Sequence, residues 1–470
     1  MNLAFPVITF PYASRILQPE GIGKINFANS IISYFILIAS LGISTYATRE
    51  CAKIRDNKLL LSKFAVEMMI INSISTLVAY VLFFIVYYVS PKLHYYQALL
   101  TLCSFKIVFS FFGIDWLYRG LEDFKYITLR SVIFQILSLC LLFIFVKTKE
   151  DILWYAAIGI LSSVGSNILS FIHARKFIIF KTDYHLELRK HLKPIFVFFG
   201  MEVVTSVYTI LDTTMTGFLS NDVQVGYYSA ANKLNKMILG IITSIIAILL
   251  PRFSYYAGKN DYTRFRILLK KCLHIVVFFS LPSIAGLLIL SRPLVLLFSG
   301  NAYLPAVTTM RLLTPVILLI TMSSLIGIQL LTPLNKEKFT LRSVIFGAVT
   351  NLTGNYFLIP RYGANGAAFA TVCAESVVTL TQLFYAKSYL DWKDFFINIM
   401  KSLIGTLCMA ATLLLLAHYL CGSNFLQIAV SFIIGGIIYF TVMTILKDDI
   451  PASVFQVFLK FILDTKKGKK

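Results

Sequence analysis

Charge is what this chain has least of. Only 14% of its 470 residues are Asp, Glu, Lys or Arg, where a soluble domain carries roughly 25%. The length would suffice for two or three soluble domains, yet no stretch is polar enough or long enough to form one. The seven cysteines contain no C-x-x-C pair and no His stands at ligand spacing from them, so they read as small apolar core residues. A G-x-x-x-x-G-K-[ST] loop is missing, which excludes a P-loop ATPase; GIGK at 21–24 is a turn and a helix start. The six histidines are scattered and no Ser-His-Asp or metal-ligand constellation emerges. Neither catalytic residues, nor a metal, nor a cofactor is therefore expected. The basic start and cleavage site of a signal peptide are also missing, so the first apolar segment should be retained.

What the chain has in excess is hydrocarbon. Apolar residues make up 58% and the mean hydropathy is +0.78. Apolar stretches recur, each close to the roughly 20 residues needed to cross a bilayer. The pattern predicts an all-α integral membrane protein with about 14 spans, near 5–17, 25–47, 66–90, 95–117, 127–146, 152–172, 194–219, 224–250, 270–290, 311–333, 341–360, 363–386, 396–420 and 425–446.

The formal charge of +21 would point to nucleic acid in a soluble protein. Its placement says otherwise. Of the 43 Lys and Arg, 32 fall in the segments 49–63, 119–130, 175–193, 252–271, 336–342, 387–401 and 447–470, all after even-numbered spans. That asymmetry is the positive-inside pattern, and it predicts both termini in the cytoplasm with no nucleic-acid partner.

An internal repeat sets the architecture. The heptapeptide TLRSVIF occurs at 128–134 and again at 340–346, opening the fifth and the eleventh spans. GKINFAN at 23–29 matches GYYSAAN at 226–232, and FGIDWL at 112–117 matches IGIQLL at 326–331. The expected division is an N-lobe of helices 1–6 over 1–180, a C-lobe of helices 7–12 over 181–390, and two further helices with a basic tail over 391–470. An even number of spans per lobe gives both the same orientation, as in parallel-repeat transporters with a site near mid-membrane. From Pro194 to Gly226 is 32 residues, whereas from Met1 to the matching Gly23 is only 22. The first helix is therefore expected to be short, or the true start to lie upstream.

Charges inside the membrane cost on the order of 3 kcal/mol each on insertion scales. Ser229, Asn232, Lys233 and Lys236 share one face of the eighth span, and their repeat equivalents Asn26, Asn29, Ser30 and Ser33 form a polar stripe on the second. Lysines on one side and amides and hydroxyls on the other suit an anionic, hydroxyl-rich ligand; the alternative is that the lysines reach to the outer interface. Arg15 and Lys24 flank the turn at 18–23, and Lys106 lies midway along the fourth span. Asp115 should face away from Lys106. Glu202 and Asp212 on the seventh span and Glu375 on the twelfth are candidates for a coupling H+ or Na+, or for neutralising a lysine.

The run FPYASRILQPEGIGKINFANSIISYFILIASLGISTYATRE at 10–50, with its PY-x-SR-x-L-x-PEG-x-G signature and RE close, resembles the Wzx-type O-antigen and polysaccharide flippases. These belong to the multidrug/oligosaccharidyl-lipid/polysaccharide exporter superfamily. LDTTMTGFL and VGYYSAANKL within 211–234, LLTPLNKEK at 330–338 and YGANGAAFAT at 362–371 extend the resemblance along the chain. It implies a two-lobed, MATE-like bundle in the bacterial inner membrane, moving undecaprenyl-pyrophosphate-linked oligosaccharide by alternating access. It implies basic residues receiving the pyrophosphate, for which Arg15, Lys24, Lys233 and Lys236 are fittingly placed; with Asn29 and Asn232 of the polar stripes and Lys106 they are the expected substrate-binding residues. A polysaccharide polymerase and chain-length machinery are the protein partners it brings. The rivals are a multidrug cation antiporter, a peptidoglycan-precursor flippase and, least favoured, a membrane glycosyltransferase or polymerase.

Overall fold

In the computed structural model, residues 4–179, 185–419 and 423–452 are described. Residues 1–3 and 453–470, which include both chain ends and most of the basic tail, lie outside them. The chain divides into two compact units, Met1–Ser229 and Ala230–Lys470.

The first unit opens with α1 (Ala4–Ser40), whose helical backbone breaks at Gln18 (φ 61°, ψ 175°). The cause is local. Pro19 disfavours helical backbone at the residue before it and supplies no N–H. The Gln18 side chain then donates to Arg15 O at 2.6 Å, satisfying a carbonyl at the break. There follow α2 (Ile43–Ile54), α3 (Lys58–Val89), α4 (Pro91–His94), α5 (Gln97–Phe111), α6 (Asp115–Gly120), α7 (Phe124–Phe145), α8 (Ile152–Ile160), α9 (Asn167–His173) and α10 (Leu188–Leu219). A π-helical turn, Leu161–Gly165, joins α8 to α9. The helix α11 (Asp222–Ala247) starts in this unit and ends in the next.

The second unit continues with α12 (Leu250–Gly258), α13 (Tyr262–Ile289), α14 (Ser291–Ser299), α15 (Ala306–Leu313), α16 (Val316–Ser324), α17 (Glu337–Tyr362), α18 (Ala364–Ala386), α19 (Trp392–Tyr419) and α20 (Asn424–Ile445). Short polar side chains start the long helices: Asn57 accepts from the N–H groups of Leu59 and Leu60, Asp123 from Tyr126, and Asp261 from Arg264. Each takes up backbone donors that the first turn leaves open.

Among the described residues, eleven helices are long and apolar enough to cross a membrane, or twelve if the bent segment 188–219 is one span. The expected fourteen differ for two reasons. The first two expected spans run together as Val7–Ile54, because the break at Gln18 lasts a single residue. The expected eleventh span does form, as α17, but it carries Asn351 and Asn355 in its middle. Both are buried and hydrogen-bonded to each other at 3.0 Å, so this helix meets protein where a lipid-facing one would need apolar side chains.

Outward faces are apolar. Leu77, Val81, Ile85 and Val89 form an exposed stripe at i+4 spacing on α3, a lipid face in a bilayer. Inside, Tyr46, Phe64 and Trp116 build the core of the first unit. Phe278, Met409, Leu413, Tyr439 and Met443 join α13, α19 and α20 in the second, with Tyr439 Oη donating to Phe278 O at 2.8 Å. The molecule is an all-α, multi-pass membrane protein.

Candidate functional site

Lys106, on α5, is the most informative charge in the membrane-spanning part of the first unit. It is half-buried, and its Nζ donates to Asn29 Oδ1 on α1 at 2.6 Å. Among the described residues no carboxylate lies within ion-pair distance of it. The amide orients the ammonium without cancelling its charge, and two N–H donors remain for an anion. The sequence named both residues as candidates; their contact bridges 77 positions.

The rest of the α1 stripe is less available than its spacing implied. Ser30 Oγ donates to Phe27 O and Ser33 Oγ to Asn29 O, each at 2.7 Å. Back-bonding of this kind spends the hydroxyl donor inside the helix. Lys24 is half-buried and paired with Glu20 at 2.6 Å, with its ammonium 5.5 Å from the centre of the Tyr95 ring. Arg15 is exposed.

On α11, Asn232 and Lys233 are half-buried and Lys236 is exposed, all on one face. The neighbouring Asn235 instead turns inward, its amide reaching Ala231 O and Met310 O. Of the acidic candidates, Asp212 is buried and accepts from Tyr228 Oη at 2.5 Å. Glu202 accepts from Thr45 Oγ1 at 3.0 Å, and Glu375 is buried on α18.

The first unit contains a reciprocal backbone contact. A Cβ on Gly23 would lie 1.7 Å from Asp222 O, and one on Gly226 would lie 2.1 Å from Pro19 O. Gly226 follows Gly23 by the same offset, 203, that separates Asp222 from Pro19. Residues matched by the repeat thus approach each other's partners, a reciprocal crossing within the first unit. Side chains secure the crossing: Tyr96 Oη donates to Asp222 Oδ1 at 2.6 Å, Lys92 Nζ to Phe218 O at 2.9 Å, and the Phe27 ring packs against Tyr96 and Phe218.

Several polar clusters were not legible beforehand. Asp115 does not continue the helix of Lys106, which breaks at 112–114, and it pairs with the buried Arg130 at 2.7 Å. Glu67 and His191, both buried, meet at 2.8 Å, and Tyr46 Oη contacts the other ring nitrogen at 2.7 Å. His274 meets Asp448 at 2.7 Å. Burial opposes the charge on Asp448, but hydrogen bonds from His274 and from the Ile450 N–H outweigh it and hold the carboxyl below its ordinary pKa. The two His–carboxylate partners are 124 and 174 positions apart, and no local pattern announces such pairs.

The model of the family described as "Polysaccharide biosynthesis protein" matches residues 2–257, and that of MatE matches 198–357. A putative O-antigen transporter of Escherichia coli (strain K12) is 28% identical over 399 residues, covering 82% of this chain and 94% of that protein. Among solved structures, the lipid II flippase MurJ in an inward closed conformation superposes with a TM-score of 0.67 at 19% identity, covering 94% of this chain and 98% of that one. An inward-facing multidrug resistance MATE family transporter gives a TM-score of 0.64 at 14% identity, over 82% and 93% of the two chains. These two likenesses concern the fold. With the first family model matched over more than half its length, and with the motifs at 10–50 that resemble the Wzx-type flippases, this chain belongs to the polysaccharide biosynthesis protein family of the multidrug/oligosaccharidyl-lipid/polysaccharide exporter superfamily.

Proposed function

We propose that this protein is a flippase for undecaprenyl-pyrophosphate-linked oligosaccharide, the repeat unit of an O-antigen or capsule, in the bacterial inner membrane. The observation that carries the reading is Lys106, a cation within an apolar helix held by the Asn29 amide. A charge kept there at a cost of about 3 kcal/mol suits a cargo that brings its own negative charge, as a diphosphate does. Lys233, Asn232 and Lys236 on α11, with Arg15 and Lys24, are the further contacts we assign to diphosphate and sugar. The polyprenyl tail stays in lipid while alternating access carries the head group from the cytoplasmic to the periplasmic leaflet. Glu202, Asp212 and Glu375 are assigned to coupling with an H+ or Na+ gradient; no cofactor is invoked. In this reading both termini are cytoplasmic, the lobes are 1–180 and 181–390 with the last two helices and tail at 391–470, and the polymerase and chain-length machinery take over the flipped unit.

Deleting the gene in its native host tests this directly. Complete lipid-linked repeat units should accumulate on the cytoplasmic side while surface polymer disappears. Unchanged polymer with raised sensitivity to cationic drugs would favour the multidrug antiporter. Complementation with Lys233→Ala plus Lys236→Ala should fail to restore polymer at normal protein abundance; restoration would place those lysines at the interface, outside the transport path.

A further inference from the structure

The second unit contains two cavities in series along α13, and their linings differ in chemistry. The first, about 500 Å³, is lined by Arg266, Lys270, Tyr389, Asp391, Trp392 and Asn398 among others. The second, about 200 Å³, is walled by Val277, Leu281, Leu318, Met322 and Leu383 with no polar surface. Its one hydroxyl-bearing lining residue, Thr379, donates to Leu319 O. Phe395 lines both. On α13 the lining steps from Arg266 to Leu281, about 22 Å at 1.5 Å per residue. That is on the order of one leaflet with its head-group layer, half of roughly 40–45 Å.

A polar, aromatic chamber with a dry slot beside it, Phe395 bordering both, together spans the length of a single membrane lipid. Its charges narrow the head group. Lys270 is already paired with Asp394. Arg266 donates to the Ser388 carbonyl at 3.4 Å, and Asp391 accepts from the Asp394 N–H at 3.5 Å, its side chain lying beside the Asp394 carboxyl. Lys387, ahead of the chamber in sequence, lies over the Phe384 ring, and Lys393 follows Trp392. The chamber therefore offers one guanidinium for a phosphate, one carboxylate for an ammonium, and the Tyr389 and Trp392 rings beside them. Basic pockets at helix ends are a recurring mode of lipid recognition; a carboxylate in the lining distinguishes this one.

We propose that this slot binds a glycerophospholipid with a primary-amine head group, phosphatidylethanolamine in chemical class, with the phosphate at Arg266, the ammonium at Asp391 and one acyl chain in the apolar cavity. It is separate from the transported cargo and rests on none of the residues assigned to it.

Delipidated full-length protein is titrated with phosphatidylethanolamine, phosphatidylglycerol and phosphatidylcholine, and retained lipid is counted by native mass spectrometry on the monodisperse fraction. Phosphatidylethanolamine should be retained about tenfold better than the others, the worth of one charge-assisted hydrogen bond. Asp391→Asn should abolish that preference, Arg266→Gln should lower retention of every lipid, and Arg266→Lys should largely keep it. Leu318→Trp, which fills the apolar slot and leaves both charges in place, should also lower all three. Phosphatidylglycerol held as well as phosphatidylethanolamine by the wild type would overturn the proposal, as would undiminished retention in Arg266→Gln, which means nonspecific annular lipid. Soluble phosphoethanolamine raising the melting temperature as much as the lipid would overturn the lipid assignment; inorganic phosphate doing so would reduce the site to an anion pocket.

Discussion

The heptapeptide TLRSVIF occurs once in each half, and the two copies do different things. In the first half Arg130 is buried, 3% exposed at its side chain, and paired with Asp115. In the second, Arg342 is exposed and lies over the Phe339 ring. The helix that precedes each copy also differs. In the first half it breaks after Phe111 and resumes at Asp115, around Gly113. In the second it runs on through a π-helical turn, Leu325–Leu331, around Gly327. Where the first half has Asp115 the second has Gln329, buried and neutral. A buried guanidinium needs a carboxylate to offset its desolvation, so the arginine turns inward only where one waits. Seven identical residues share a backbone fold and leave the fate of their one charge to a partner on another helix.

That contrast can be broken at its anchor. Asp115→Asn should leave Arg130 as an uncompensated buried charge, at about 3–5 kcal/mol, read as a large fall in melting temperature in detergent. A shift no greater than that of a surface variant would mean Arg130 is not held by charge. The next largest effect concerns the symmetric crossing. Gly23→Ala and Gly226→Ala should each cost about 1–3 kcal/mol by overpacking against backbone, and by similar amounts. One severe and one silent variant would show the crossing to be two-fold in sequence position alone.

A smaller effect concerns the His274–Asp448 pair. Since the Asp448 carboxyl is held below its ordinary pKa when folded, it contributes stability above the unfolded value, about 3.9, and loses it as pH falls through the folded value. Thermal stability followed from pH 6 down to about 3 should show a loss that Asp448→Asn abolishes. That variant should cost about 1–2 kcal/mol at neutral pH. Smallest of all, Arg342→Ala should change stability by no more than about 0.5 kcal/mol; a loss approaching that of Asp115→Asn would remove the distinction between the halves.

Much of the fold was legible because the bilayer imposes a simple rule: a span must be helical and apolar enough to stay. The repeat was legible for a related reason, since two copies meeting the same rule keep the same landmarks. The count of spans was less so. Asn351 and Asn355 make α17 polar where it meets protein, and Gln18 breaks α1 over one residue. Of the site, Lys106 and Asn29 were both readable as polar intrusions, but that they touch was not. Glu67 and His191 stood on opposite sides of a 124-residue gap and gave no signal at all.

The sequence by itself determined the solvent, the all-α class, the repeat and the family, because hydropathy and motif spacing are properties of the chain read in order. Only the tertiary structure decided which charges are matched and which are held by neutral groups: Arg130 by Asp115, Asp448 by His274, Lys106 by an amide. The reason is that desolvation and pairing depend on distance in space. In this bundle of long helices the three pairs meet across 15, 174 and 77 positions of chain.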